Sequence, residues 1–131
     1  MFIPDGFARI APYLVVEGAE DFIRFLVAGL GGVETQRTVG DAGIIRNAII
    51  RFGEASVMVA EALPDFPPTL AHIYFFVEDA DAAVALAVAH GAELILPVDD
   101  RPYGDRQGGV RDRHGNTWWI SQRLVDGPYE D

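Results

Sequence analysis

The chain has 131 residues, half of them hydrophobic, and a formal net charge of −10, which is enough apolar material for one ordinary domain whose core needs no staples. It has no cysteine, so disulfides, thiolate nucleophiles and cysteine-bearing zinc sites are excluded. Its acidity makes phosphate backbones and anionic lipid surfaces poor partners.

The N-terminus carries Pro4, Asp5 and Pro12 where a secretory signal needs a basic region and an unbroken apolar segment. No apolar run approaches the roughly 20 residues of a membrane span. A cytoplasmic protein is the expectation, with neither nucleic acid nor membrane as partner.

In chain order, residues 10–16 form a compact apolar strand ended by Glu17 and Gly18. Residues 19–30 turn helical, with Phe22, Ile23, Phe25, Leu26 and Leu30 at three-and-four spacing and Gly29, Gly31 and Gly32 as terminators. Strands follow at 33–39, at 44–52 after the turn 40–43, and at 55–60 after a two-residue turn, Gly53-Glu54. The order is βαβββ. After a proline-rich link at 63–69 it begins again: an apolar strand at 72–77, a helix at 80–90 capped by Asp79 and stopped by Gly91, a strand at 93–98, and a polar loop at 99–104.

The second unit closes on YGDRQGGVRDRHGNTWWI, residues 103–120. Here a short run at 110–112 meets a reversal over Asp112, Arg113, His114 and Gly115, and an aromatic strand follows at 117–121. Strand alternation sends Trp118 and Trp119 to opposite faces. Residues 124–131 read as a frayed tail. Val16-Glu17-Gly18-Ala19 aligns with Val77-Glu78-Asp79-Ala80, and Gly53 with Gly115. Such repetition usually means that a unit cannot bury its apolar face alone.

The words PYLVVEGAEDFIRFL, AHIYFFVEDADAAVALAVAHGAEL and YGDRQGGVRDRHGNTWWI resemble the vicinal oxygen chelate superfamily, which groups glyoxalase I, bleomycin-resistance proteins and extradiol dioxygenases. They look closest to its uncharacterised PhnB-like branch. The resemblance covers residues 10–122. It implies an α+β fold of two βαβββ modules forming a curved, partly open mixed sheet with helices on the outside. The expected organisation is one domain, with module 1 at about 8–62, the link at 63–70, module 2 at about 71–123 and the tail at 124–131. A symmetric homodimer is the expected assembly, and the modules pair either within the chain or across the dimer.

Metal-dependent members of this superfamily hold a divalent ion with His and Glu side chains. Carried over by position, the ligands fall on Ala11, on Val57 or Met58 depending on register, on His72 and on Trp119. Only His72 is a plausible ligand, and even an open catalytic zinc site ordinarily needs three. Neither a metal nor another cofactor is expected.

His72 is then a polar anchor or general base, although a lone strand histidine is more often hydrogen-bonded structure. Tyr74 and Phe76 share its face, and by the same alternation Trp119 is a cavity wall while Trp118 faces the helix. On the strand 44–52, Asn47 is the cavity candidate if Ile49 and Arg51 share its face, which leaves Arg46 as a surface or ion-pair residue. Tyr103, Asp105 and Arg106 line the loop entering the last hairpin, more often a connector than a site. His114 is expected in solvent. The acids Glu61, Asp65, Glu78, Asp79 and Asp81 serve solvation and the helix dipole.

The candidate ligand-binding set is therefore His72, Tyr74, Trp119, Asn47, Tyr103 and Arg106. The function expected is binding of a small molecule without a metal, in the bleomycin-resistance manner. A glyoxalase-like lyase or dioxygenase-type enzyme with a degenerate metal site, or a non-catalytic dimeric scaffold, are the alternatives.

Overall fold

The computed structural model describes residues 2–129. Among them the order is β1 (Tyr13–Val16), α1 (Ala19–Arg24), β2 (Val33–Val39), β3 (Ile45–Phe52), β4 (Ala55–Glu61), β5 (His72–Phe76), α2 (Ala80–Ala89), β6 (Glu93–Asp100), β7 (Asp105–Arg111) and β8 (Thr117–Arg123). This is an α+β fold of two βαβββ modules, each a four-stranded mixed sheet, ordered β1-β4-β3-β2 and β5-β8-β7-β6. Contacts divide the chain into two compact units between Thr69 and Leu70. No helix among the described residues is long and apolar enough to cross a membrane.

In the first module β1 runs parallel to β4, and β3 is antiparallel to both β2 and β4. Alternation places Leu14, Val16, Ala48, Ile50, Val57 and Val59 on the face covered by α1, where they are buried with Phe22, Ile23 and Leu26. The first strand begins at Tyr13 rather than at residue 10. The helix predicted over 19–30 is α-helical only to Arg24 and continues as a π-helical turn, Phe25–Gly29, in which Leu30 N–H donates to the Phe25 carbonyl at 3.1 Å. No side chain at Gly18 caps α1; instead the Glu61 carboxylate accepts from Gly18 N–H at 3.0 Å and Ala19 N–H at 2.9 Å, placing negative charge at the helix N-terminus. The Gly53-Glu54 turn closes the β3–β4 hairpin as expected, with Gly53 at φ 63°.

The second module repeats this plan. The Asp79 side chain accepts from Ala82 N–H at 3.0 Å, and Gln122, which stands where Glu61 does in the first module, accepts from Ala80 N–H at 3.0 Å. Trp118, Ile120 and Val110 are buried with Val84 and Ala87 of α2. Residues 99–100, expected in a loop, belong to β6 and pair with Gln107 and Arg106, so that β7 begins at Asp105.

Gly108 and Gly109 sit on β7 and face opposite ways. A Cβ on Gly108 would meet Val98 Cγ2 at 2.7 Å and Val84 Cγ2 at 3.1 Å, on the helix side. A Cβ on Gly109 would meet the Trp119 ring at 2.8 Å on the other face. One glycine lets α2 approach and the next lets an indole lie down.

The reversal after β7 is organised by Asp112. Its Oδ1 accepts from His114 N–H at 2.9 Å and Asn116 N–H at 3.0 Å, and its Oδ2 from Trp118 Nε1 at 2.8 Å. His114, expected in solvent, is half-buried against this turn.

Candidate functional site

The register puts His72, Tyr74, Phe76, Trp119, Ser121, Arg123, Asp105 and Gln107 on one face of the second sheet, opposite the face that α2 covers. This face is aromatic and partly open: Tyr74 is 43% exposed and Phe76 55%. The two rings lie 5.1 Å apart in a tilted arrangement. His72, expected on an apolar strand, is also exposed, because β5 is an edge strand whose far side carries no helix.

Trp119 rests on Gly109 and stacks with His72, centroids 6.1 Å apart and planes 15° from parallel. Its Nε1 donates to His72 Nδ1 at 3.2 Å. An indole N–H is a donor only, so His72 Nδ1 is the acceptor and the neutral ring carries its proton on Nε2. His72 thus turns an N–H donor outward, which suits anchoring a ligand better than abstracting a proton.

Beside these rings lies a buried polar network centred on Asp105. The carboxylate is fully buried. Its Oδ2 accepts from the Tyr74 hydroxyl at 2.5 Å and the Tyr129 hydroxyl at 2.7 Å, and its Oδ1 from Arg123 Nη1 at 3.0 Å. Burial pushes the Asp105 carboxyl up, but the Tyr129 and Tyr74 hydroxyls and the Arg123 guanidinium outweigh it and hold the group below the usual carboxylate range. Burial, together with hydrogen bonding to that carboxylate, pushes both phenols above their ordinary value, so both remain donors. Next to this network Gln107 Nε2 donates to Ser121 Oγ at 2.7 Å, and the Tyr103 hydroxyl donates to Gln107 Oε1.

The tail expected to fray is tied down as far as Tyr129. Leu124 N–H donates to the Gly104 carbonyl at 2.9 Å, and Arg123 Nη2 to the carbonyls of Gly127 and Pro128 at 3.2 and 3.1 Å. Residues 130–131 lie outside the described residues.

Of the predicted site residues, His72, Tyr74 and Trp119 come together, and Tyr103 joins them through Gln107. Arg106 does not: as the even neighbour of Asp105 and Gln107 it projects to the helix side, where it bonds Asp81 at 2.7 Å and Asp100 at 3.0 Å. Asn47 belongs to the first module. It shares the face of Ile49 and Arg51 and donates to the Tyr13 hydroxyl at 3.3 Å.

That face of the first module carries two hollows. One, of about 430 Å³, is lined by Tyr13, Val15, Ile45, Ala60, Leu63 and Phe66 among others. Leu63 and Phe66 reach it because they exchange backbone hydrogen bonds at 3.0 and 2.9 Å, making a small loop of the proline-rich link. The other, of about 590 Å³, lies among the N-terminal residues, Ile49 and Met58.

Strand alternation in the sequence already puts Ser121 on the face of Trp119, whereas Gln107, Arg123 and Tyr129 were not singled out. Parity with Trp119 reaches Arg123 along β8, and Gln107 once β7 is known to start at Asp105, while Tyr129 lies beyond the strands and carries no such signal.

The register relates the two modules at the positions that the resemblance implies for metal ligands. Tyr13 pairs with Met58 as Tyr74 pairs with Trp119, so Met58 is the inward residue of the unresolved register and Val57 packs under α1. Ala11, Met58, His72 and Trp119 do not fit a divalent ion: three lack a suitable donor, and one nitrogen of the fourth already accepts from Trp119. Among the described residues no group of three or more His, Asp or Glu side chains could hold a metal.

Comparison with known proteins agrees with this architecture. An uncharacterized protein of Mycobacterium bovis is 31% identical over 124 residues, a match spanning 86% of this chain and 82% of its own. The crystal structure of TioX from Micromonospora sp. ML1 superposes with a TM-score of 0.76 at 26% identity, over 89% of this chain and 99% of TioX. That of TnmS3, an antibiotic binding protein from Streptomyces sp. CB03234, superposes with a TM-score of 0.68 at 22% identity, over 94% and 98%. The model of the Glyoxalase/Bleomycin resistance protein/Dioxygenase superfamily matches residues 6–120, and the chain belongs to that superfamily.

Proposed function

We propose that the protein binds a small, planar, partly aromatic molecule without a metal, against the helix-free face of its second sheet. The observation that carries this reading is the exposed row of His72, Tyr74 and Phe76 beside Trp119, backed by polar groups that are already hydrogen-bonded. Large flat side chains with fixed rotamers and a few placed donors are the usual materials of a ligand site. An enzyme reading would need a free base or a metal, and His72 offers an N–H donor instead. That TnmS3, of the same fold, is described as an antibiotic binding protein is consistent with this use of the architecture.

The test is titration with a panel of planar aromatic compounds, read by tryptophan fluorescence. Trp118 is buried on the other face, so quenching should come from Trp119 and vanish in Trp119→Phe. If no compound in the panel shifts the fluorescence or the melting temperature, the binding reading fails and the scaffold reading takes its place.

The proposal includes a homodimer, since each sheet leaves large apolar residues such as Tyr13, Val33 and Phe76 exposed. Light scattering behind size exclusion should give twice the chain mass, and a monomer at micromolar concentration would remove this part.

A further inference from the structure

Tyr129 lies beyond the last strand, β8, and is bound in an unusual way. The residue is 49% exposed, yet its hydroxyl reaches the fully buried carboxylate of Asp105 at 2.7 Å. The Arg123 guanidinium lies 4.1 Å from its ring centroid, and the Tyr74 ring meets it edge-on at 6.5 Å. The same Asp105 oxygen already accepts from Tyr74, and its other oxygen from Arg123. The surroundings of the hydroxyl are thus fully built from β5, β7 and β8. The residue filling them arrives on a tail whose Leu124 and Val125 are themselves half exposed.

Each contact that holds Tyr129 is one that any phenol could make: a hydroxyl donating to a carboxylate, a cation over an aromatic face, and an edge-to-face ring pair. Nothing in them requires the phenol to belong to this chain.

We propose that Asp105, Arg123 and Tyr74 form a recognition site for a hydroxyaryl group, and that Tyr129 occupies it as a tethered, displaceable stand-in. The inference rests on the binding reading above and narrows its ligand class to planar molecules carrying a phenolic hydroxyl. Entry of such a ligand breaks the Tyr129 bond to Asp105, and the residues after Arg123 swing away, so the tail lowers apparent affinity by the fraction of time the site is self-occupied. A ligand without a hydroxyl donor leaves the carboxylate with an unmet acceptor when it displaces Tyr129, which selects against it.

The experiment compares 7-hydroxycoumarin with coumarin by calorimetric titration, at a pH low enough to keep the phenol protonated. The proteins are wild type, Tyr129→Ala, Tyr129→Phe and Asp105→Asn combined with Tyr129→Ala. Removing the stand-in should tighten 7-hydroxycoumarin about tenfold in Tyr129→Ala, with a smaller gain in Tyr129→Phe, whose ring remains but whose hydroxyl is gone. Coumarin should bind Tyr129→Ala at least tenfold more weakly than 7-hydroxycoumarin does. Asp105→Asn should erase that difference.

Equal binding of the two probes by Tyr129→Ala, or unchanged or weaker binding of 7-hydroxycoumarin on removing Tyr129, overturns the hydroxyaryl site while leaving the broader binding reading intact. If neither probe binds any variant, and the wider aromatic panel is also silent, both readings fall together. Tyr129 lies at the surface and its two variants keep the folded core, so the result does not depend on whether the Asp105 variant folds.

Discussion

Trp119 Nε1 donates to His72 Nδ1 at 3.2 Å, with the two rings nearly parallel. The pair occupies two of the positions that the resemblance implies for metal ligands, and the bond between them commits the imidazole to a single neutral tautomer. Nitrogen-15 chemical shifts of the neutral His72 ring should show protonation at Nε2 and a bare Nδ1. Trp119→Phe should remove that preference and cost about 0.5–1 kcal/mol, because the bond is partly exposed. A wild-type Nδ1–H tautomer would contradict the arrangement.

Protein incubated with zinc, nickel, iron or manganese and then desalted should retain no stoichiometric metal, since one imidazole cannot replace a three-ligand set. His72→Ala should give the same result. Retention near one ion per chain, lost in that variant, would reverse the reading of the site.

Asp105 ties β7 to β8 and to the tail. Replacing it by Asn leaves Arg123 without its buried partner and should cost about 2–3 kcal/mol, less than a fully buried pair because Arg123 is partly exposed. The folded protein holds this carboxyl below its ordinary value, so it binds the proton less tightly folded than unfolded. Its contribution is complete above about pH 4, the unfolded range, and fades as pH falls through the lower folded value. Urea midpoints measured from neutral to about pH 3 should show wild type and Asp105→Asn converging in acid. A gap that widened there would mean the sign is wrong.

Asp112→Ala removes the oxygen that accepts from both turn N–H groups and the acceptor of the Trp118 indole N–H, a residue only 1% exposed. Stranding a buried N–H and loosening the reversal should together cost about 2–4 kcal/mol by denaturant titration. Asp112→Asn, which keeps acceptor capacity, should recover part of it.

The adjacent glycines of β7 should answer the same substitution differently. Gly108→Ala places a methyl against Val98, Val84 and the Leu96 carbonyl and should destabilise by about 1–3 kcal/mol. The atoms nearest a methyl in Gly109→Ala are side-chain atoms, those of the Trp119 ring first and Ile95 next. The substitution should shift tryptophan emission and weaken aromatic ligands, with a smaller stability loss. Equal loss from both would mean that Trp119 is as immobile as the core.

The duplicated βαβββ order, the two hairpins, the helix stops and the opposite facing of Trp118 and Trp119 were all legible from residue order. They follow from period-2 and period-3.6 patterning, glycine and side-chain caps, which act over a few residues. The mismatch between Ala11, Met58 or Val57, His72 and Trp119 and a metal site was legible too, because it is a matter of residue chemistry. What sequence could not decide was anything resting on register or on a meeting of distant segments. Parity sends Arg106 to the α2 side and Asp105 to the aromatic face only once β7 is known to start at Asp105 rather than near Val110. The tail looked free because Asp126-Gly127-Pro128 has the composition of a turn with nothing to hold it. Its anchor, Asp105, lies 24 residues away from Tyr129 in the chain, and a hydrogen bond across that distance leaves no local trace in composition or periodicity.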